Sequence, residues 1–338
     1  INLMFDGAFY SAKNPILDEN VARKLYGNKE NIGITRLERF AACAYSQFLN
    51  NGLKLGERKK FELAAFDIGN LYHSAIKDFF DTINTNNIKW ADLDDKKSEN
   101  IINDSIEKVM EQYENDALND IARSAFIKKQ VKDTSTETVN ALVKHIRSGN
   151  FLPREYELRI AHGRVDRVDT FEDGNNIYVK VIDYKSGNKV FNVTETFLGL
   201  QMQLMVYLKD TVDYIKKNNP DKNVYPAAGL YFHVYDPYVS EIDCEKAVSD
   251  FRKKNPDSEL SDEELKKMAI EKERFKAYRM SGLVAKEIEI VNAMDHNTIT
   301  KTGSSAILPV NITKSGVDAR STRRAISFVA EGRANAAG

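Results

Sequence analysis

The chain has 338 residues, 42% of them hydrophobic and 29% charged, a balance that suits a globular protein with a sizeable buried core. No apolar run approaches the ~20 residues of a membrane-spanning helix, and 49 Lys and Arg against 50 Asp and Glu leave no global positive field to attract nucleic acid. The two cysteines, Cys43 and Cys244, make no disulfide framework and fit a reducing, cytoplasmic setting.

The chain opens on Ile1 rather than Met and shows no secretory signal, so it is expected to be a piece of a longer protein. Thr35 to Asn50 carries Leu37, Phe40, Ala41, Tyr45 and Phe48 at helical spacing, with Thr35 and Glu38 as a capping box. Basic residues gather around it: Arg36, Arg39, Lys54, Arg58, Lys59 and Lys60. They fit two readings, a track for DNA phosphates or a solvated helical face. Phe61 to Thr82 repeats the helical pattern with Phe66, Tyr72, Ile76 and Phe79, and polar helices are expected from about Asp92 to Ser148, ended by Asn150 and Pro153.

The period then changes. Arg154 to Lys185 reads as strand, broken by the turn signal Glu172-Asp173-Gly174-Asn175-Asn176. An amphipathic helix over Thr196 to Lys216 and a strand over Ala227 to Tyr235 follow. Glu245 to Met280 is a charged stretch expected to form a surface helical insertion that leaves Cys244 exposed, and Arg320 to Gly338 has no pattern. Helices, then strands, then helix and strand predict an α/β or α+β layout around one sheet.

The hairpin carries the chemistry. Side chains alternate along a strand, so Ile177, Val179, Val181, Asp183 and Lys185 share a face that is apolar until it ends in an acid and a base. With Gly174-Asn175 at the centre of the turn, paired residue numbers sum to 349, which sets Asp166 opposite Asp183. Directly opposed residues have Cβ atoms ~4.5–5.5 Å apart, and two carboxylates so placed repel unless a cation sits between them. Mg²⁺ suits carboxylate oxygens, water and phosphate. Lys185, on the same side, is placed to orient an attacking water and offset charge on a phosphoryl group. The plain alternative is a surface hairpin with an Asp–Lys ion pair. His162 alternates with Arg164 and Asp166 and is expected near this site, while His145, His233 and His296 show no metal-site spacing.

Asp166 with Asp183-Tyr184-Lys185 resembles the PD-(D/E)xK nuclease motif in its RecB-like form. Asp67-Ile68-Gly69-Asn70-Leu71-Tyr72-His73 is similar to that family's histidine-bearing helix. Gly199 to Tyr207 resembles its Gln-x-x-x-Tyr helix. Residues 34–43 and 228–237 resemble the C-terminal part of the AddB-type helicase–nuclease subunit, and the likeness covers roughly residues 15–240. It implies a restriction-endonuclease-like α/β core, a central mixed sheet flanked by helices, with an N-terminal helical segment and a helical insertion. It implies a single nuclease domain over 1–338: a helical part about 15–150, a catalytic sheet core about 151–240, the charged insertion about 245–280, and a C-terminal segment 281–338.

By that resemblance His73, Asp166, Asp183 and the backbone carbonyl of Tyr184 are metal ligands. Lys185 is the catalytic lysine, and Gln203 and Tyr207, which share a helix face, support the site and the strand being cut. Mg²⁺ is the implied metal, and a histidine ligand also admits Mn²⁺. The implied setting is an AddA-type partner subunit, single-stranded DNA ends and double-strand-break repair by recombination, with this subunit cutting the 5′-ended strand. No phosphate-binding loop of the Walker type is present, so an ATP-driven motor belongs elsewhere. AddB-type proteins also carry an iron–sulfur site. Cys43 matches its first cysteine and nothing matches the other three, so a cluster of about four thiolates cannot form from this chain as given. Two rival readings are a stand-alone CRISPR-associated RecB-like exonuclease and a catalytically silent DNA-binding scaffold. The intact Asp166, Asp183 and Lys185 set argues against the second.

Overall fold

A computed structural model describes residues 18–26, 32–56, 65–117, 121–254, 260–285 and 287–296. The organising element is a five-stranded sheet in chain order: β1 (Leu152–Ile160), β2 (Gly163–Asp173), β3 (Asn176–Lys185), β4 (Asn223–His233) and β5 (Ser281–Val284). All neighbours are antiparallel except β3 and β4, which run parallel. A parallel pair needs a crossover, supplied by α7 (Val193–Phe197) and α8 (Gln203–Asn218). The expected mixed sheet is present, and β3 is its centre.

Strand β3 is buried on both faces along most of its length. On one face Ile177, Val179 and Val181 pack with Val206, Leu208 and Ile215 of α8. On the other, Ile182 and Tyr184 meet Leu71, Ile76 and Phe79 of α4 (Ala65–Thr85), which stands on Ile102 of α5 (Asp95–Ala117) and Leu142 of α6 (Ile121–Arg147). Between these helices and the sheet lies a buried charge cluster. Arg167 grips Asp169 with Nε–Oδ1 at 2.7 Å and Nη2–Oδ2 at 2.8 Å, and Lys180 Nζ reaches the same carboxylate at 2.9 Å. Burial alone would raise the Asp169 pKa, but the two cations outweigh it and hold the carboxyl below its ordinary range. Arg167 also lies over Phe80, and Lys180 over Phe151.

The N-terminal helices depart from expectation. α1 (Glu19–Tyr26) precedes α2 (Ile34–Ala42), and the predicted helix to Asn50 breaks at Cys43, whose φ of −163° and ψ of 104° are extended. A short α3 (Ala44–Gln47) and a π-turn (Phe48–Gly52) follow. The expected capping box at Thr35 and Glu38 is not formed: Gly33 is the N-cap and offers no side chain. Phe40 and Tyr45 are exposed, so the packing face is carried instead by Ile34 and Leu37.

Other boundaries shift for local reasons. Residues 57–64, with Arg58, Lys59, Lys60 and the expected start at Phe61, lie outside the described residues. Pro153 does not end a helix but sits inside β1, a sheet edge where a missing N–H is tolerated. The expected helix from Thr196 is interrupted at Gly199, which takes a positive φ of 78°. The charged insertion is a pair of helices, α9 (Glu241–Lys254) and α10 (Asp262–Ala277), and Cys244 on α9 is buried rather than exposed. Strand β5 and α11 (Ile288–Met294) add two elements that the sequence pattern does not mark. The tail from Arg320 lies outside the described residues. Among the described residues no helix is long and apolar enough to cross a membrane.

Candidate active site

Three carboxylates line up across β1, β2 and β3. Pairs Tyr156↔Arg167 and Leu158↔Val165 bracket Glu157 and Asp166. The β2–β3 ladder keeps the expected register, with partner numbers summing to 349 from Asp173↔Asn176 to Arg167↔Ile182. Beyond that pair Asp166 takes over the bonding with its side chain, as its Oδ2 accepts the Tyr184 N–H at 2.7 Å. The peptide of Tyr184 is thereby held against the carboxylates. The Tyr184 ring points to the opposite face, where its hydroxyl lies 3.5 Å from Arg167 Nη1.

Asp183 is almost fully buried. Burial first, and the charge of Asp166 second, raise its pKa from 3.8 to about 6, against the opposing pull of Lys185 and His73. Its two oxygens have different partners: Oδ1 accepts from Gln203 Nε2 at 2.9 Å, and Oδ2 pairs with Lys185 Nζ. Tyr231, opposite Asp183 on β4, forms the site wall, with the ammonium groups of Lys185 and Lys189 each 5.5 Å from its ring centroid.

His73 reaches the row from α4, its Nδ1 3.3 Å from Asp166 Oδ1. One turn earlier Gly69 lets the helix approach, since a Cβ there would stand 3.1 Å from Ser186 Oγ. Burial lowers the His73 pKa, but the hydrogen bond and charge of Asp166, with Asp183 and Glu157, outweigh it and the net shift is upward. Tyr207, one turn beyond Gln203 on α8, is hydrogen-bonded to it and packs over Gly163, where an added Cβ would meet the Tyr207 hydroxyl at 2.5 Å.

Of the residues singled out from sequence, His73, Asp166, Asp183, Tyr184, Lys185, Gln203 and Tyr207 converge here. Cys43 does not: it is exposed between α2 and α3, where its Sγ accepts the Ser46 N–H at 3.4 Å. His162 sits near the rim but turns away, its Nδ1 2.6 Å from Asp210 Oδ2 on α8.

Glu157 was missed. It stands with Arg164 Nε 2.5 Å from its Oε2, at a φ of 52° that a non-glycine strand residue rarely adopts. Burial, then Asp166, raises its pKa. Ligand atoms of His73, Glu157 and Asp166 all lie within 4.8 Å of one another. The one signal in the sequence was register: a turn at Ala161-His162 puts Glu157 opposite Asp166, but no turn residue marks it.

Carboxylate oxygens beside one imidazole nitrogen make a donor set that fits a divalent cation. The cysteines do not fit an iron–sulfur cluster, which needs about four thiolates; one of this chain's two is exposed and the other buried in α9.

The fold and this row of acids, ending in a lysine, are those of a nuclease core. Residues 31–297 match the PD-(D/E)XK nuclease superfamily, and the chain belongs to it. It is also similar to proteins named as the B-type subunit of an ATP-dependent helicase/deoxyribonuclease. That of Alkaliphilus oremlandii is 31% identical over 335 residues, covering 93% of this chain and 27% of the relative. Those of Exiguobacterium sibiricum and Clostridioides difficile are each 30% identical, covering 95% of this chain and 28% of the relative. The chain thus spans just over a quarter of the length of these relatives.

Proposed function

We propose that this chain is a nuclease domain that hydrolyses phosphodiester bonds of single-stranded DNA with a divalent cation, Mg²⁺ or Mn²⁺. The observation that carries the reading is the convergence of His73, Glu157 and Asp166 on one point beside the Asp183–Lys185 pair. His73, Asp166, Asp183 and the Tyr184 carbonyl are the proposed holders of the ion, with Glu157 as a further one. When bound, the ion supplies Lewis-acid activation of water and of the phosphodiester.

The chain's own groups account for the rest. Lys185 orients the attacking water and offsets negative charge on the phosphoryl oxygens. Gln203 holds one oxygen of Asp183, leaving the other toward Lys185. Tyr207 packs beside Gln203 at the rim and supports the strand being cut. We read residues 1–338 as one such domain, acting in the cytoplasm. Because the relatives are named as subunits of helicase/deoxyribonucleases, the whole protein is proposed to work with an AddA-type partner on DNA ends in double-strand-break repair by recombination.

The test is digestion of end-labelled single-stranded DNA with Mg²⁺ or Mn²⁺, comparing the parent with Asp183→Ala. Cleavage by the parent should vanish in the variant while its circular dichroism is unchanged. Equal cutting by both proteins, or none by the parent with either ion, overturns the proposal.

A further inference from the structure

Helix α8 delivers Gln203 and Tyr207 to the site, yet its own sequence does not finish its N-terminus. The N-cap, Met202, has no side-chain acceptor, and the first turn carries no acid. The first N–H groups of a helix lack intrahelical partners and carry partial positive charge. Here the acceptor comes from a residue 164 positions away. Glu38 on α2 places Oε1 2.7 Å from the Met202 N–H and 2.9 Å from the Gln203 N–H.

We infer that Glu38 is a positioning residue for the nuclease site: by capping α8 from outside it fixes Gln203 against Asp183. The contacts are continuous. The Glu38 carboxylate holds the backbone of Gln203, and the Gln203 side chain donates to Asp183 Oδ1 at 2.9 Å. Without that bond one oxygen of Asp183 has no partner and the carboxylate is free to turn about its Cβ–Cγ bond.

The segment carrying Glu38 is itself anchored. Ile34 is buried beside α8, and its N–H bonds to the His162 carbonyl at 3.0 Å, at the β1–β2 turn next to Gly163. Near the far end of α2 the Ala41 Cβ lies 3.3 Å from where a Cβ on Gly199 would stand, so α2 approaches the loop leading into α8 closely. α2 is thus fastened to the turn before β2 and to the entry of α8, the two places that set the site's rim.

The inference rests on the nuclease reading for its consequence but not for its geometry. Glu38→Ala, Glu38→Gln and Gln203→Ala are made singly, and Glu38→Ala is combined with Gln203→Ala, in the full chain. Three readouts are taken: amide hydrogen exchange at Met202 and Gln203, Mn²⁺ affinity by electron paramagnetic resonance, and kcat and KM on labelled single-stranded DNA. Glu38→Ala should lose protection at both amides, and loss of a residue that orients a metal ligand lowers Mn²⁺ affinity and kcat by about 10–100-fold. KM should stay within about two-fold, since no DNA contact is removed. Glu38→Gln keeps a carbonyl acceptor and should retain most of the affinity and rate.

In the Gln203→Ala background the Glu38→Ala change should add less than about two-fold, because groups acting through one another are not additive. Multiplying effects, or full amide protection with parental Mn²⁺ affinity in Glu38→Ala, overturn the inference. A parent that cuts no DNA defeats the nuclease reading alone, since exchange and Mn²⁺ binding still decide the role of Glu38. Should Glu38→Ala fail to fold, Glu38→Asp, one methylene too short to span both amides, is expected to show the same losses in part.

Discussion

Asp183 keeps its charge at neutral pH against burial and against Asp166, which together raise its pKa from 3.8 to about 6. A carboxyl with a folded-state pKa above its unfolded value binds its proton more tightly in the native protein. The stability this gives is complete below pH 3.8 and is lost as pH rises through 6. Ionised Asp183 therefore weakens the metal-free fold at pH 7. Asp183→Asn, which keeps the shape and an acceptor for Gln203, should stabilise the metal-free protein at pH 7 by on the order of 2 kcal/mol. At pH 4 that advantage should close. Calorimetry in EDTA at the two pH values decides it, and a variant less stable than the parent at pH 7 sinks the account. The same residue shows what sequence can reveal. Asp166, Asp183 and Lys185 were legible because a strand has period two and the Gly174 turn fixed the register. Glu157 was not, because its place depends on a third strand and on a left-handed φ of 52° that no local signal announces.

The elements that carry function are held by close approach as much as by propensity. The β1–β2 turn passes under Tyr207 at Gly163, where a Cβ would stand 2.5 Å from the hydroxyl and 2.9 Å from a ring carbon. Gly163→Ala must push that ring off its seat. Overpacking of this kind costs about 1–3 kcal/mol, and here it also displaces the side chain hydrogen-bonded to Gln203. The variant should show a lower thermal midpoint together with reduced kcat on single-stranded DNA. A parental rate would mean that Tyr207 has no part in the site. Helices α4 to α6 and the hairpin were readable from their periods. The break of α2 at Cys43, the late start of α8 and the use of Glu38 were not. Glu38 satisfies the local pattern of a capping box, but its carboxylate binds the N-terminus of α8 instead. Tertiary contact overrode a local rule at the point where the site is assembled.

At the scale of the molecule, the helical layer, the sheet and the α9–α10 pair meet at His145. It projects from α6 with its ring edge-on to Phe232 of β4 at 5.6 Å and to Phe275 of α10 at 5.1 Å. Neither ring nitrogen has a hydrogen-bond partner among the described residues. Burial first, then the nearby charges of Lys180 and Arg167, push its pKa well below 6.5. The folded state therefore refuses a proton that the unfolded chain accepts. Stability from this residue is full above pH 6.5 and is lost as pH falls below it. The loss approaches the one-proton slope of about 1.4 kcal/mol per pH unit. His145→Phe keeps an aromatic ring between Phe232 and Phe275 and removes the titration. Subtracting the variant's stability from the parent's cancels groups that titrate in both, including His73 and Asp183. The difference measured by urea unfolding should be flat above pH 7 and should turn against the parent below pH 6. A difference independent of pH from 7 to 5 would show that His145 takes up its proton in the native fold, and the three layers would then have to part more easily than their packing implies.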